Sequence, residues 1–319
     1  MTGVLATPDA GAVERRPPAQ RSGRSPLLAA IAFAGLGTTY RLVMLGAEVP
    51  PSNSDEATMG LAALHILEGR EFPAFFYGQH YMGTLEAYLA APVFALAGPS
   101  VLGLRLPNLL LYLAFLALMW VLTRRLYTPW FATFTVGVLA LGSDRILKNQ
   151  LIAGGGYPEL NPAGALLLLL AVDLGRGAWR RPLLGYALWG LVAGLVVWDD
   201  WLGLPYLATA AAILVWSRRR ELWGRAGRTA AAAALVGAAP LIVDYVVGGR
   251  NPLAVFLALS GGTGASWPDR LYGGVLFGVP MGTGMCAPSH CAPWQLWWGV
   301  ALPVLLGVAG VAAVRALRD

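Results

Sequence analysis

Long apolar runs separated by short polar breaks dominate the chain. Runs near 27–46, 103–122, 129–143, 161–175, 182–198, 202–216, 229–247 and 295–314 approach the roughly 17–25 residues that a helix needs to cross a bilayer. The pattern predicts an all-α polytopic membrane protein of about eight transmembrane helices. One early stretch, residues 48–86, interrupts it. Within this stretch EATMGLAALHILEGR places Met59, Ala63, Ile66 and Leu67 at helical spacing. It is too short and polar to span, so it is expected to lie along the membrane surface. FFYGQHYMG follows as a loop. Residues 81–97, YMGTLEAYLAAPVFALA, then form either a short span or a re-entrant helix.

Charge decides between those two. If 81–97 does not cross, Arg124 and Arg125, Arg176, Arg180 and Arg181, the arginines of 218–228, and Arg315 and Arg318 share a side with the basic N-terminal tail. If it crosses, only Arg105, Arg145, Lys148, Arg250 and Arg270 remain on the inner side. The first arrangement obeys the positive-inside rule. Glu86 and Pro92 are also better tolerated in a helix that dips without crossing. The expected layout is a disordered cytoplasmic tail over 1–25, then one membrane unit over 26–319 whose first extracytoplasmic loop covers 47–102. That topology leaves only Asp9, Glu14, Asp173, Glu221 and Asp319 inside among the 17 acidic residues, so candidate chemistry collects on the outer side.

Composition agrees. Of 319 residues, 57% are hydrophobic and 13% charged, about half the roughly 25% charged content of a soluble domain. The net charge of +6 does not point to nucleic acid, because the arginines sit in clusters between apolar runs. Cys286 and Cys291 are too few for a disulfide framework; facing outward, they are expected to form a local disulfide clip.

Three stretches could carry chemistry. Asp55-Glu56 opens the amphipathic segment, beside the loop residues Tyr77, Gln79, His80 and Tyr81; the plainer reading makes Ser54 or Asp55 an N-cap, with Glu56 serving the helix dipole. Asp144-Arg145, Lys148 and Tyr157-Pro158-Glu159 flank Gly154-Gly155-Gly156; Arg145 and Lys148 suit a phosphate, or simply snorkel to headgroups. In Trp198-Asp199-Asp200-Trp201 an interfacial belt accounts for the tryptophans but not for adjacent carboxylates, one of which is expected to line a polar cavity. No cofactor is demanded. A divalent metal is compatible, with His80 as a candidate ligand, although no HxxH-type spacing supports it.

Asp55-Glu56 after the first helix, GREFPAFFYGQHYMGTLEAYLAAPVFALAG, Arg105-Leu106-Pro107, GGGYPE and WDDWLGLPYL together resemble the GT-C membrane glycosyltransferases. The bacterial branch related to protein O-mannosyltransferases and the lipid A aminoarabinose transferase is the nearest in pattern. The resemblance covers roughly 27–217. It implies a polyprenyl-phosphate sugar donor, inversion at the anomeric carbon, and a catalytic acidic residue in the first outer loop, matched by Asp55 with Glu56 as neighbour. A second acidic position would be Glu159 or, less well, Asp144. Members commonly carry more helices and often a C-terminal outer domain, so this chain is expected to be a shortened member.

The expected function is transfer of a sugar from the lipid donor to a glycan, lipid or protein acceptor. It would take place on the extracytoplasmic face of the plasma membrane, with the N-terminus cytoplasmic. Asp55 would act as base, Arg145 and Lys148 would face the phosphate, and Tyr77, Gln79, His80, Tyr81, Tyr157, Asp199 and Asp200 would line the substrate site. A transporter or flippase for a lipid-linked glycan is the alternative. It predicts broken, charged helices at mid-membrane, whereas the acidic residues here sit at helix ends.

Overall fold

The computed structural model describes residues 24–249, 251, 253–254, 264–287 and 290–316; the predicted tail, 1–25, lies almost wholly outside them. The chain is an all-α polytopic membrane protein with one small ribbon. Helices α1 (Arg24–Gly46), α4 (Val101–Leu126), α7 (Tyr157–Gly175), α8 (Pro182–Asp199) and the C-terminal stretch Pro293–Arg315 are long and apolar enough to span. Two bent pairs raise the number to seven: α5 (Pro129–Leu141) with α6 (Asp144–Leu151), broken by 81°, and α10 (Arg225–Gly237) with α11 (Ala239–Gly248), broken by 58°. The expected eighth, α9 (Leu204–Leu222), runs back between the two ends of the molecule, but Arg218, at a kink, with Arg219, Arg220 and Glu221 shortens its apolar part, so it is less clearly a span than the others.

The first loop is a packed module, not a helix resting on the surface. Asn53, and neither Ser54 nor Asp55, caps α2 (Ser54–Leu67), its side chain accepting from the Glu56 amide. The buried face of α2 is Glu56, Met59, Ala62 and Ala63, while Leu67 is exposed. It meets Ala87, Ala90 and Phe94 of α3 (Leu85–Ala97) and Leu104 of α4 in one apolar cluster. At 13 residues α3 reaches only about 20 Å, short of a roughly 30 Å hydrocarbon core. Between α2 and α3 the segment read as a loop forms an antiparallel ribbon, Phe75–Phe76 against Gln79–Gly83, turned at Gly78 with φ 85°.

The helices alternate direction, so the chain has two chemically distinct ends. At one, Arg125 pairs with Asp173 at 3.3 Å and Arg218 donates to the Gly175 carbonyl. At the other lie α2, α3, the ribbon, α6 and the junctions 152–157 and 198–204. Helices α8 and α10 touch backbone to backbone: a Cβ on Gly190 or Gly194 would collide with the Ala230 or Ala234 carbonyl, as membrane helices do where small residues face each other. The Gly-rich segment after residue 247 contains, within its described part, the helix Trp267–Tyr272, a π-helical stretch Gly273–Gly278 and the turn Val279–Gly282. This region packs against the C-terminal helix Trp297–Ala316.

Candidate active site

The site is organised around residues 150–156, which leave α6 and enter α7 through three glycines. Irregular backbone at this depth must be satisfied by protein, and buried polar side chains from four different helices supply the partners. Arg41 of α1 bonds Gln150 Oε1 at 2.6 Å and the Ala140 carbonyl at 2.9 Å, with its guanidinium 3.7 Å from the Tyr112 ring centre. Asn108 of α4 donates to the Leu151 carbonyl. Glu56 of α2 accepts from the Ala153 amide, and Glu86 of α3 accepts from the Gly155 amide at 2.8 Å. Gly155 and Gly156 have φ of 90° and 85°, a region that side-chain-bearing residues avoid. A Cβ on Gly156 would also sit 2.8 Å from Asp200 Cβ.

Around this turn the carboxylates fall into distinct environments. Glu56 forms a two-pronged ion pair with Arg105, both contacts 2.6 Å and both side chains 1% exposed. That geometry matches a guanidinium to both carboxylate oxygens and ties Glu56 into the buried structure. Glu86, Glu159, Asp199 and Asp200 are buried together. Among the described residues no donor reaches Glu86 Oε1, either Glu159 oxygen or Asp199 Oδ1. Burial, then the neighbouring Glu159, pushes the Glu86 carboxyl well above the ordinary range. Burial also raises Asp200, opposed by the Leu202 amide that its Oδ1 accepts. Gly83 completes the packing: a Cβ there would lie 2.5 Å from Asp199 Oδ1.

Asp55 differs from all of these. It stands exposed at the first turn of α2, without a hydrogen bond or ion pair among the described residues. Tyr157 packs on the apolar cluster formed by α2 and the ribbon, and Gly156 lies against Asp200, so the three stretches singled out in the sequence meet at one end of the molecule. Tyr77, Tyr81 and Tyr157 pack on the same apolar cluster. Tyr81 donates to Gln79. Tyr77 donates to Glu71 and meets His65 Nδ1, each at 2.8 Å; burial, then Glu71, moves its phenol up to about 12. His80 stacks edge-on with Phe75, its Nδ1 buried without a partner. Lys148 pairs with Asp144 at 3.2 Å, whereas Arg145 is exposed and outside any ion pair among the described residues. Among those residues no group of three or more His, Cys, Asp or Glu is arranged to hold a metal.

Two expectations need correcting. Trp198 is not a headgroup-level belt residue; it is 4% exposed and ties α8 to the ribbon through the Ala74 carbonyl. The cavity that Asp199 and Glu159 border, about 260 Å³ between α4, α7 and α8, is lined chiefly by apolar side chains such as Leu111, Leu166 and Val192. The expected disulfide is present between Cys286 and Cys291. Its turn lies against the start of α6, where a Cβ on Gly284 would collide with Ser143 and lie 3.7 Å from Arg145 Cβ. Sequence reading passed over Glu86, Arg105, Arg41 and Gln150 as functional candidates. The signal was available for the two arginines and Glu86, since an ionised group inside an apolar helix implies a buried partner or a function. No family model, curated protein or solved structure matches the chain.

Proposed function

We propose that the protein transfers a sugar from a polyprenyl-phosphate donor to a hydroxyl-bearing acceptor, with Asp55 as the general base. The observation that carries this reading is the exposed Asp55 carboxylate at the end of the molecule where Tyr157 and the exposed Arg145, outside any ion pair among the described residues, also lie. A lipid phosphate is already a good leaving group. The reaction therefore needs a base on the acceptor hydroxyl and positive charge at the phosphate. Asp55 supplies the first and Arg145, with Lys148 nearby, the second. An open apolar cleft of about 790 Å³ between α1 and α5 runs past Phe33, Tyr40, Met44 and Phe134 to Asp144, the neighbour of Arg145. A polyprenyl chain lying there would bring its phosphate to that cation. The transition state would carry oxocarbenium character, which the Asp55 carboxylate would favour.

In this reading the site faces the extracytoplasmic side of the plasma membrane. Two independent features support that sidedness: the arginine-rich loops gather at the opposite end, and the disulfide turn packs beside α6, as suits an oxidising compartment. The transporter reading draws support from the donor-less buried carboxyl groups, which resemble proton-carrying sites. They lie at helix ends and not at a mid-membrane break, which favours the enzyme. Reconstituted protein given labelled polyprenyl-phosphate sugar separates the two: release of free polyprenyl phosphate marks transfer, and a change of sidedness alone marks transport.

A further inference from the structure

The end of the molecule opposite the carboxylates carries chemistry that glycosyl transfer does not use. Two turns meet there, the loop 176–181 between α7 and α8 and the segment 218–228, in which the end of α9 passes through Trp223-Gly224 into α10. They are joined by Arg218 Nε donating to the Gly175 carbonyl at 3.2 Å and Tyr186 Oη donating to Glu221 at 3.1 Å. The acids at this end are already engaged, Asp173 by Arg125 and Glu221 by Arg218. Arg180, Arg181, Arg219, Arg220, Arg225 and Arg228 are all exposed, and none is in an ion pair among the described residues. Aromatic side chains flank them in the open: Trp223, between Arg220 and Arg225, is 93% exposed, and Trp216 is 88% exposed. Unpaired guanidinium groups bind phosphate well, and indole rings prefer the headgroup level of a bilayer. The two together fit a lipid phosphate better than a soluble one.

We propose that this arginine–tryptophan end is a binding surface for anionic phospholipid headgroups. Topology alone accounts for arginines on this side but requires no preference among lipids. The test uses the full chain in neutral-lipid mixed micelles, titrated with dioleoyl phosphatidylglycerol, dioleoyl phosphatidylcholine or glycerol phosphate and followed by thermal melting. Phosphatidylglycerol should raise the melting temperature at far lower mole fraction than phosphatidylcholine, and glycerol phosphate should have little effect. Each arginine near an anionic surface is worth about fivefold in binding, so Arg180→Gln with Arg181→Gln should weaken the phosphatidylglycerol response about 25-fold. The same pair changed to lysine should keep the response, separating charge from folding, and Arg70→Gln, at the other end, should leave it unchanged. Equal responses to the two lipids, or an unaltered response in the double glutamine variant, would overturn the proposal. A glycerol phosphate response matching that of phosphatidylglycerol would overturn the lipid assignment.

Discussion

Glu56 and Asp55 are adjacent in sequence, and the fold gives them opposite work, which a pair of substitutions can separate. Glu56→Gln leaves Arg105 at 1% exposure with its charge unpaired and weakens the acceptor for the Ala153 amide. Breaking a buried ion pair from one side typically costs about 3–5 kcal/mol. Using the thermal response of large domains, that corresponds to a fall of about 6–20 °C in melting temperature. Replacing both partners, Glu56→Met with Arg105→Met, should recover most of the loss, because a packed apolar pair often matches a buried ion pair in stability. Asp55→Asn, at an exposed position, should melt with the wild type. The assay is fluorescence-detected melting of detergent-solubilised protein, with Glu56→Met, Arg105→Met and their double variant measured as a cycle beside wild type, Glu56→Gln and Asp55→Asn. A Glu56→Gln variant melting within about 2 °C of wild type, or a double variant no better than the single ones, would refute the structural assignment of Glu56.

Glu86→Gln should preserve the fold, since its amide oxygen can still accept from Gly155, whereas Glu86→Ala strands that amide and should cost about 1–3 kcal/mol in chemical denaturation. Asp200 has a folded-state pKa raised by burial, so its stabilising contribution is fullest below the ordinary aspartate range and is lost as pH rises through the raised value. The melting difference of Asp200→Asn from wild type should therefore move in the variant's favour as pH rises from 4 towards neutrality (about three units), and a pH-independent difference would contradict the burial argument. Gly194→Val should disrupt the α8–α10 contact, where even a Cβ meets the Ala234 carbonyl; expression as a monodisperse, wild-type-like protein would argue against that close packing.

Much of the architecture was legible in the apolar runs, because span length and arginine placement are set by the bilayer itself. The non-crossing α3 was also legible, from charge placement and from Glu86 and Pro92. What the pattern could not resolve was direction around a helix axis. Successive helical residues point about 100° apart, so Asp55 and Glu56 had to face different surroundings, yet the partner that decides which one is buried, Arg105, lies 49 residues away. The ribbon escaped notice because its turn is only Tyr77-Gly78 and its strands are short. Three consecutive glycines permit unusual dihedrals, and Gly155 and Gly156 adopt them. The tethering of this run by Arg41, Asn108, Glu56 and Glu86 depends on long-range contacts that no local spacing reveals.

The central claim rests on Asp55, and one measurement addresses it most directly. Wild-type protein and Asp55→Asn, matched in melting temperature, are reconstituted and given labelled polyprenyl-phosphate sugar with a crude envelope acceptor fraction. The account predicts release of free polyprenyl phosphate by the wild type and loss of that release by at least about 100-fold in Asp55→Asn, as expected for removal of a general base. Wild-type release by the Asp55→Asn protein would contradict it.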